Sequence, residues 1–445
     1  MPDISLYMRG QIIKLVWPAI LEGVGIMLVG VLTTAMVGRL GAVSLSAVGL
    51  ATLVQMAAAI IFAAAGTGSA AIVARYKGAK KWNQVQEVAG QSILIGLVSG
   101  TVLAAAGYWL APAAVALTGS EPELIELAGS LLKITFLFTP FFLVMSISNN
   151  ILRVMGKTKT VFYLSTAINM LTLVVSYMLI FGISVPALGA YGAGWGLAFG
   201  YLTGGIIAVA VLSAQEEVRL RFHHVFCYRP DTVAAILQVS VPAAMEQLAM
   251  HGGRIVFTFM LAGAGAVQFA AHQIATQVES ISFMPGFGFS IAAMALTGQN
   301  LGKGLPHRAA QYVAMINKQA ILSMTVMSVV FIFFAQELAA FFIDDEEVIR
   351  WAVWCVMLAA LEQPAIALTY VYSGALRGAG DTKYPFYITT FSIWGFRMPL
   401  VYLFIVVWHF PITWAWGITV LDFVVRSFLF WNRFRTNQWK QIQIG

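Results

Sequence analysis

Residues 152–159 read LRVMGKTK and residues 376–383 read LRGAGDTK, so leucine, arginine, glycine, threonine and lysine recur in one order 224 positions apart. The same offset relates three more anchors. Pro18-Ala19-x-x-Glu22 returns as Pro242-Ala243-x-x-Glu246, Gly78 as Gly302, and Glu123-x-Ile125-x-x-Ala128 as Glu347-x-Ile349-x-x-Ala352. One offset serving four separated anchors marks an internal duplication, and a duplicated chain folds as two like halves.

Composition says what the halves are made of. Of 445 residues 60% are hydrophobic and 10% charged, whereas a soluble domain is about a quarter charged. Apolar runs of about 20 residues, the length that spans roughly 30 Å of hydrocarbon, recur along the whole chain. They predict twelve transmembrane helices, near 12–38, 45–74, 88–112, 124–150, 160–183, 188–213, 232–262, 267–297, 309–341, 347–374, 384–408 and 411–431. The first lacks a small-residue cleavage site and reads as a retained span.

Basic residues gather on one side of these spans. That side holds Arg9 and Lys14, RYKGAKK, RVMGKTK, the linker EEVRLRFHHVFCYRPD, Lys303 with Arg308, Arg377 with Lys383, and Arg433, Arg435 and Lys440. The other side has Arg39 and Arg350 but collects the acids of SEPELIE and DDEE. By the positive-inside bias both termini are cytoplasmic, in a multi-pass cytoplasmic membrane protein. Topology accounts for the net charge of +7, and no nucleic-acid partner is expected. Cys227 and Cys355 fall in the linker and in a span, so they make neither a disulfide framework nor a metal site.

Six spans per half is an even number, so both halves enter the membrane from the same face. The expected fold is therefore all-α and polytopic: two parallel six-helix lobes related by a pseudo-twofold axis along the membrane normal. The expected division is an N-terminal lobe 1–213, a cytoplasmic linker 214–231 and a C-terminal lobe 232–445. Such two-lobed bundles rock around a cleft. Every loop is short, and there is no Walker loop, metal-ligand cluster or nucleophile triad, so no enzyme and no bound cofactor is expected.

The motifs MVGRLGAVSLSAVG, AAHQIATQVESISFMPGFGFSIAAMALTGQNLG and LRGAGDTKYP resemble MATE (multidrug and toxic compound extrusion) transporters, with the DNA-damage-inducible F branch most similar. The resemblance covers essentially the whole chain. It implies a two-lobed antiporter that expels small amphipathic, often cationic, compounds using a proton or sodium gradient. The loop ARYKGAKKW lacks the G-x-x-x-D-R-x-G signature of major facilitator transporters, the rival bundle. Three positions depart from the family. Thr33 stands where members carry an aspartate, Ser176 where an Asp or Asn precedes YxLIFG, and Met250 where the sodium-coupled branch tends to a glutamate. The usual coupling acids being absent, other intramembrane acids must serve or coupling is altered.

A carboxylate at the bilayer centre costs about 2.5–3.5 kcal/mol on insertion scales, so each such acid needs a reason. Glu22 and Thr33, eleven residues apart, share one helix face at about 3.6 residues per turn. Glu22 and Glu246 are coupling candidates; the plainer account makes them repeated structural acids near the cytoplasmic headgroups. Glu279 and Arg254 stand at similar depth on consecutive spans, and a neutralising salt bridge between them is expected, a coupling pair being the functional version. Glu362-Gln363-Pro364 predicts a kinked helix lining a cavity, with Glu362 a further coupling candidate. Arg397 is expected to pair with a carboxylate of its own lobe, and Asp422 with Arg426 four residues on. Candidate substrate-cavity residues are Thr33, Ser176, Gln273, His272 and Gln363, with Met27, Met36 and Met56 as adaptable apolar contacts. A buried acid that holds either a proton or a cationic substrate couples the two fluxes, so an antiporter acting as a monomer is the expected function. A flippase of the same superfamily for lipids or lipid-linked saccharides, or a degenerate non-transporting membrane protein, are the alternatives.

Overall fold

Backbone N–H and C=O groups find no water in hydrocarbon, so a chain of this composition satisfies them within helices. The computed structural model describes residues 2–116, 121–183 and 186–442. Its spans are α1 (Pro2–Gly38), α2 (Ala42–Gly78), α3 (Trp82–Ala116), α4 (Pro122–Val154), α5 (Thr158–Phe181), α6 (Ala190–Ser213), α7 (Pro230–Ala262), α8 (Ala266–Gly302), α9 (Pro306–Phe333), α10 (Glu346–Gly378), α11 (Lys383–Val407) and α12 (Thr413–Arg435). Among the described residues eleven helices are long and apolar enough to cross a membrane, or twelve when bent α4 is one span. Each of the twelve expected spans is therefore a helix. α4 bends by 52° at Phe138, where Pro140 enters the next turn without an N–H to continue the ladder. In α10, Pro364 frees the carbonyl of Ala360, and the Ser328 hydroxyl of α9 donates to it at 2.6 Å.

The repeated octapeptide is a helix ending. In both copies a glycine takes the left-handed conformation, Gly156 at φ +81 and Gly380 at φ +85. The amide after each glycine reaches back to the leucine that opens the motif, Lys157 to Leu152 and Asp381 to Leu376, at 2.9 Å in each case. This 6→1 bond is the Schellman stop, and its left-handed residue favours glycine because Cβ is absent. The sequence reading missed a second repeated turn: Gly41-Ala42-Val43 and Gly265-Ala266-Val267 stand at the same offset, with φ +105 and +98 at the glycines.

Packing divides the chain into two compact units whose borders lie inside α1 and α7, rather than at the linker between 213 and 232. One unit holds the residues up to Ile20 and those from Met245 onward; the other holds Leu21–Ala244. Each border falls two residues after a proline, Pro18 or Pro242, where the missing N–H lets the two arms of a helix serve different neighbours. In the first unit the Tyr312 hydroxyl donates to Gln11 at 2.7 Å, and Gly288 lies against Val16 and Ile20. In the second, the Ser240 hydroxyl donates to the Ala65 carbonyl at 3.2 Å and lies directly against Gly68.

The tightest helix pair in the first unit is α8 on α10. A Cβ on Gly374 would lie 2.4 Å from the Ser290 carbonyl, and one on Gly378 only 2.2 Å from that of Met294. Small residues four apart let two backbones meet in this way. Gly378→Ala is expected to lower stability by about 1–3 kcal/mol through overpacking. Unfolding of the purified variant in detergent checks this, and an unchanged melting temperature would contradict the packing.

Candidate functional site: a buried carboxyl pair beside a cavity

Five acids within the spans are nearly or fully buried: Glu22, Glu246, Glu279, Glu362 and Asp422. What stands beside each decides what it can do. Glu22 accepts from Arg153 and from the Ser165 hydroxyl, both at 2.7 Å. Glu246 has Arg377 at 2.9 Å and accepts from the Thr389 hydroxyl at 3.1 Å. These two clusters are copies of each other, since 22, 153 and 165 become 246, 377 and 389 on adding 224. The arginine of each octapeptide thus neutralises the glutamate of its own half, and in the second half Glu246, Arg377 and Thr389 also line the cavity that Glu279 borders. Ser165 and Thr389 escaped the sequence reading; the offset itself, applied to hydroxyl-bearing residues, would have found them.

Asp422 is fully buried on α12 and carries two arginines, Arg426 one turn on at 2.5 Å and Arg397 from α11. Ser392 donates to the same carboxylate and accepts from Arg426 at 3.3 Å. Both expected pairings of these arginines therefore form. Their guanidinium planes also lie over the Phe423 ring, 5.3 Å away for Arg397 and 4.9 Å for Arg426.

Glu279 and Glu362 differ from the other three. The expected salt bridge between Arg254 and Glu279 does not form. Arg254 is exposed on α7 and enters no ion pair among the described residues, its field reaching Glu279 only through space. Glu279 instead turns inward from α8 and meets Glu362 of α10 side chain to side chain. Glu362 has no solvent exposure, and neither of its oxygens finds a hydrogen-bond donor. Two carboxyl groups in contact cannot both be ionised without heavy repulsion, so such a pair holds a proton between them or binds a cation. The close α8–α10 packing brings the two helices together at this level.

Glu279 also forms part of the wall of a cavity of about 350 Å³ in the same unit. Phe257, Phe283, Tyr370, Trp416 and Phe423 supply aromatic surface there, and Thr276, Ser280, Thr369 and Ser373 supply hydroxyls. His272 and Gln273 line it as expected, with His272 ringed by Phe257, Phe269 and Trp416. Gln363 is fully buried behind the wall, donating to the Ala359 carbonyl at 3.0 Å. Met250 lines the cavity, at the position where the resemblance implies an acid.

The first-half candidates lie elsewhere. None of Thr33, Ser176, Met27, Met36 and Met56 borders this cavity. Ser176 is a packing residue, its hydroxyl pressed into the space above Gly196 of α6. Thr33 is half-buried, Met36 packs with Val37, Ile180 and Ala193, and Met27 and Met56 are exposed on the outside of their helices. The cavity hydroxyls went unnoticed in sequence because serine and threonine are common in spans and carry no spacing signal.

Comparison with known proteins yields a consistent set. The family model described as MatE matches residues 18–178 and 242–403, one match in each half. A Thermotoga maritima protein named probable multidrug resistance protein NorM is 29% identical over 438 residues, covering 97% of this chain and 93% of its own. Multidrug resistance protein PmpM of Pseudomonas aeruginosa is 25% identical over 401 residues, covering 88% and 83%. Among solved structures, a MOP superfamily transporter from Pyrococcus furiosus superposes with TM-score 0.90 at 19% identity, covering 98% of this chain and 97% of that one; its binding pocket is described as of reverse polarity. The MATE transporter VcmN of Vibrio cholerae, as a mutant, gives TM-score 0.89 at 17% identity, covering 98% and 99%.

Proposed function

Because this chain belongs to the MatE family of multidrug efflux transporters, we propose that it is a secondary active antiporter, exporting amphipathic organic cations in exchange for protons by alternating access. We read it as a monomeric carrier of the cytoplasmic membrane with both termini inside. It makes and breaks no covalent bond, and an ion gradient rather than a bound cofactor supplies its energy.

The observation that carries this reading is the Glu279–Glu362 pair. Glu22, Glu246 and Asp422 each have an arginine at ion-pair distance, while among the described residues Glu279 and Glu362 enter no ion pair, feel Arg397 only through space, and meet each other, Glu279 facing the cavity. A cationic group entering against the aromatic wall competes with the proton on Glu279, and that competition is what exchange requires. Sodium could take the proton's place at the same carboxyls, and a test must separate them.

Purified protein in liposomes, loaded with a fluorescent lipophilic cation and given an inward proton or an inward sodium gradient, provides that test. Efflux under the proton gradient alone supports the proposal. Efflux under sodium alone would replace the proton, and absence of efflux under both would overturn antiport. One observation favours a second reading: Arg254 stands at the cavity and enters no ion pair among the described residues, a feature suited to a phosphate headgroup. Flipping of a fluorescent anionic phospholipid in the same liposomes, lost in Arg254→Gln, would establish that reading instead.

A further inference from the structure

The linker between α6 and α7 does not hang free. Its single helical turn, Phe222–Phe226, lies across α3 at Gly90, where an added Cβ would fall 2.3 Å from the His224 carbonyl. Gln91 fastens it: the side-chain amide donates to the carbonyls of His224 and Cys227 at 2.9 Å, and its oxygen accepts the Arg229 N–H at 3.1 Å. One face of this strap is thus held by protein. Away from it, Phe222 is 82% exposed, Phe226 60% and Tyr228 63%, and the two phenylalanine rings stack on each other at 5.1 Å. Arg219, Arg221 and Arg229 are exposed around them, with no acid between 219 and 229; Glu216 and Glu217 precede the strap and Asp231 follows it.

The level of the strap relative to the bilayer follows from helix length. α3 has 35 residues, about 52 Å at 1.5 Å per residue, against roughly 30 Å of hydrocarbon. Its first two turns therefore stand at or above the headgroups, and Gly90 lies just past them. Aromatic side chains at that level are covered by lipid glycerol and headgroups, and arginines there meet phosphates.

We propose that residues 219–229 form a membrane-surface anchor. Phe222, Phe226 and Tyr228 seat in the interfacial layer, and Arg219, Arg221 and Arg229 bind anionic phospholipid headgroups. The anchor ties the start of α7 and the start of α3 to one leaflet. It rests on the chain crossing the membrane and is independent of the substrate or coupling ion.

The test uses the full chain with Cys227→Ser and Phe226→Cys, a nitroxide on the new cysteine, and Cys355 left in place because it is buried. In vesicles of phosphatidylglycerol and phosphatidylcholine, collision with oxygen should exceed collision with an aqueous nickel chelate several-fold. That ratio should fall in vesicles of phosphatidylcholine alone, and in the triple variant Arg219→Gln, Arg221→Gln, Arg229→Gln. A nitroxide open to nickel in every vesicle would overturn the anchor. One shielded from both reagents would mean that a second copy or another protein segment covers the strap, overturning it equally. Contact with lipid that ignores headgroup charge would overturn the anionic assignment.

Discussion

Glu362→Gln is expected to reduce gradient-driven efflux in liposomes to the level of empty vesicles while leaving the melting temperature nearly unchanged. Glutamine keeps the volume and the hydrogen-bonding capacity of a protonated carboxyl, so it suits a site that has no cation partner to lose. It cannot release a proton, however, and the exchange at Glu279 then has no second group to share the charge. Glu279→Gln should behave likewise. The contrast is Glu22→Gln, which strands Arg153 without its carboxylate. That change should act on stability first, by up to about 3–5 kcal/mol for a fully buried charge left unpaired. Transport at wild-type rate in Glu362→Gln would remove the pair from the mechanism. The reverse pattern, with Glu22→Gln stable and uncoupled, would move the site to the first half.

The second large effect concerns Asp422. This one carboxylate holds both Arg397 and Arg426 in the interior of α11 and α12. Asp422→Asn leaves two guanidinium groups over the Phe423 ring without the carboxylate that both of them contact. Breaking a buried pair in this way costs about 3–5 kcal/mol, and here two cations are stranded at once. The folded yield in detergent should collapse, or the melting temperature should drop far below that of the parent. Replacing all three charges together with apolar residues of similar volume should restore much of the loss, because the penalty lies in the unpaired charge. A stable Asp422→Asn would show that water reaches this cluster.

The two experiments probe different kinds of charge, and the sequence distinguished them only in part. Asp422 and Arg426 were legible because four residues on one helix is a fixed geometry. Arg397 with Asp422 was legible as a need, since an arginine within a span must find an acid. Arg254 with Glu279 looked equally sound, being of opposite sign at similar depth on adjacent spans. It failed because depth does not fix which way a side chain turns about its helix axis. Glu279 lies on the face that packs against α10, and the contact made through Gly374 and Gly378 brings Glu362 to it. Glu22 illustrates the opposite case: the offset of 224 placed an arginine in each half, but 131 residues separate Glu22 from Arg153.

The sequence by itself determined the twelve spans and the duplication, and its repeated glycines encode the helix endings that the structure revealed. Those features depend on local rules: the length needed to cross hydrocarbon, the conformation that glycine permits, and repetition along the chain. The tertiary structure alone decided which acids pair with arginine, that α1 and α7 divide their arms near Pro18 and Pro242, and that Glu279, meeting Glu362, lines the cavity. These are matters of helix rotation and close approach between distant segments. A single buried charge makes such a choice consequential, because its stability depends on the few atoms within hydrogen-bonding reach and not on the composition of the helix that carries it.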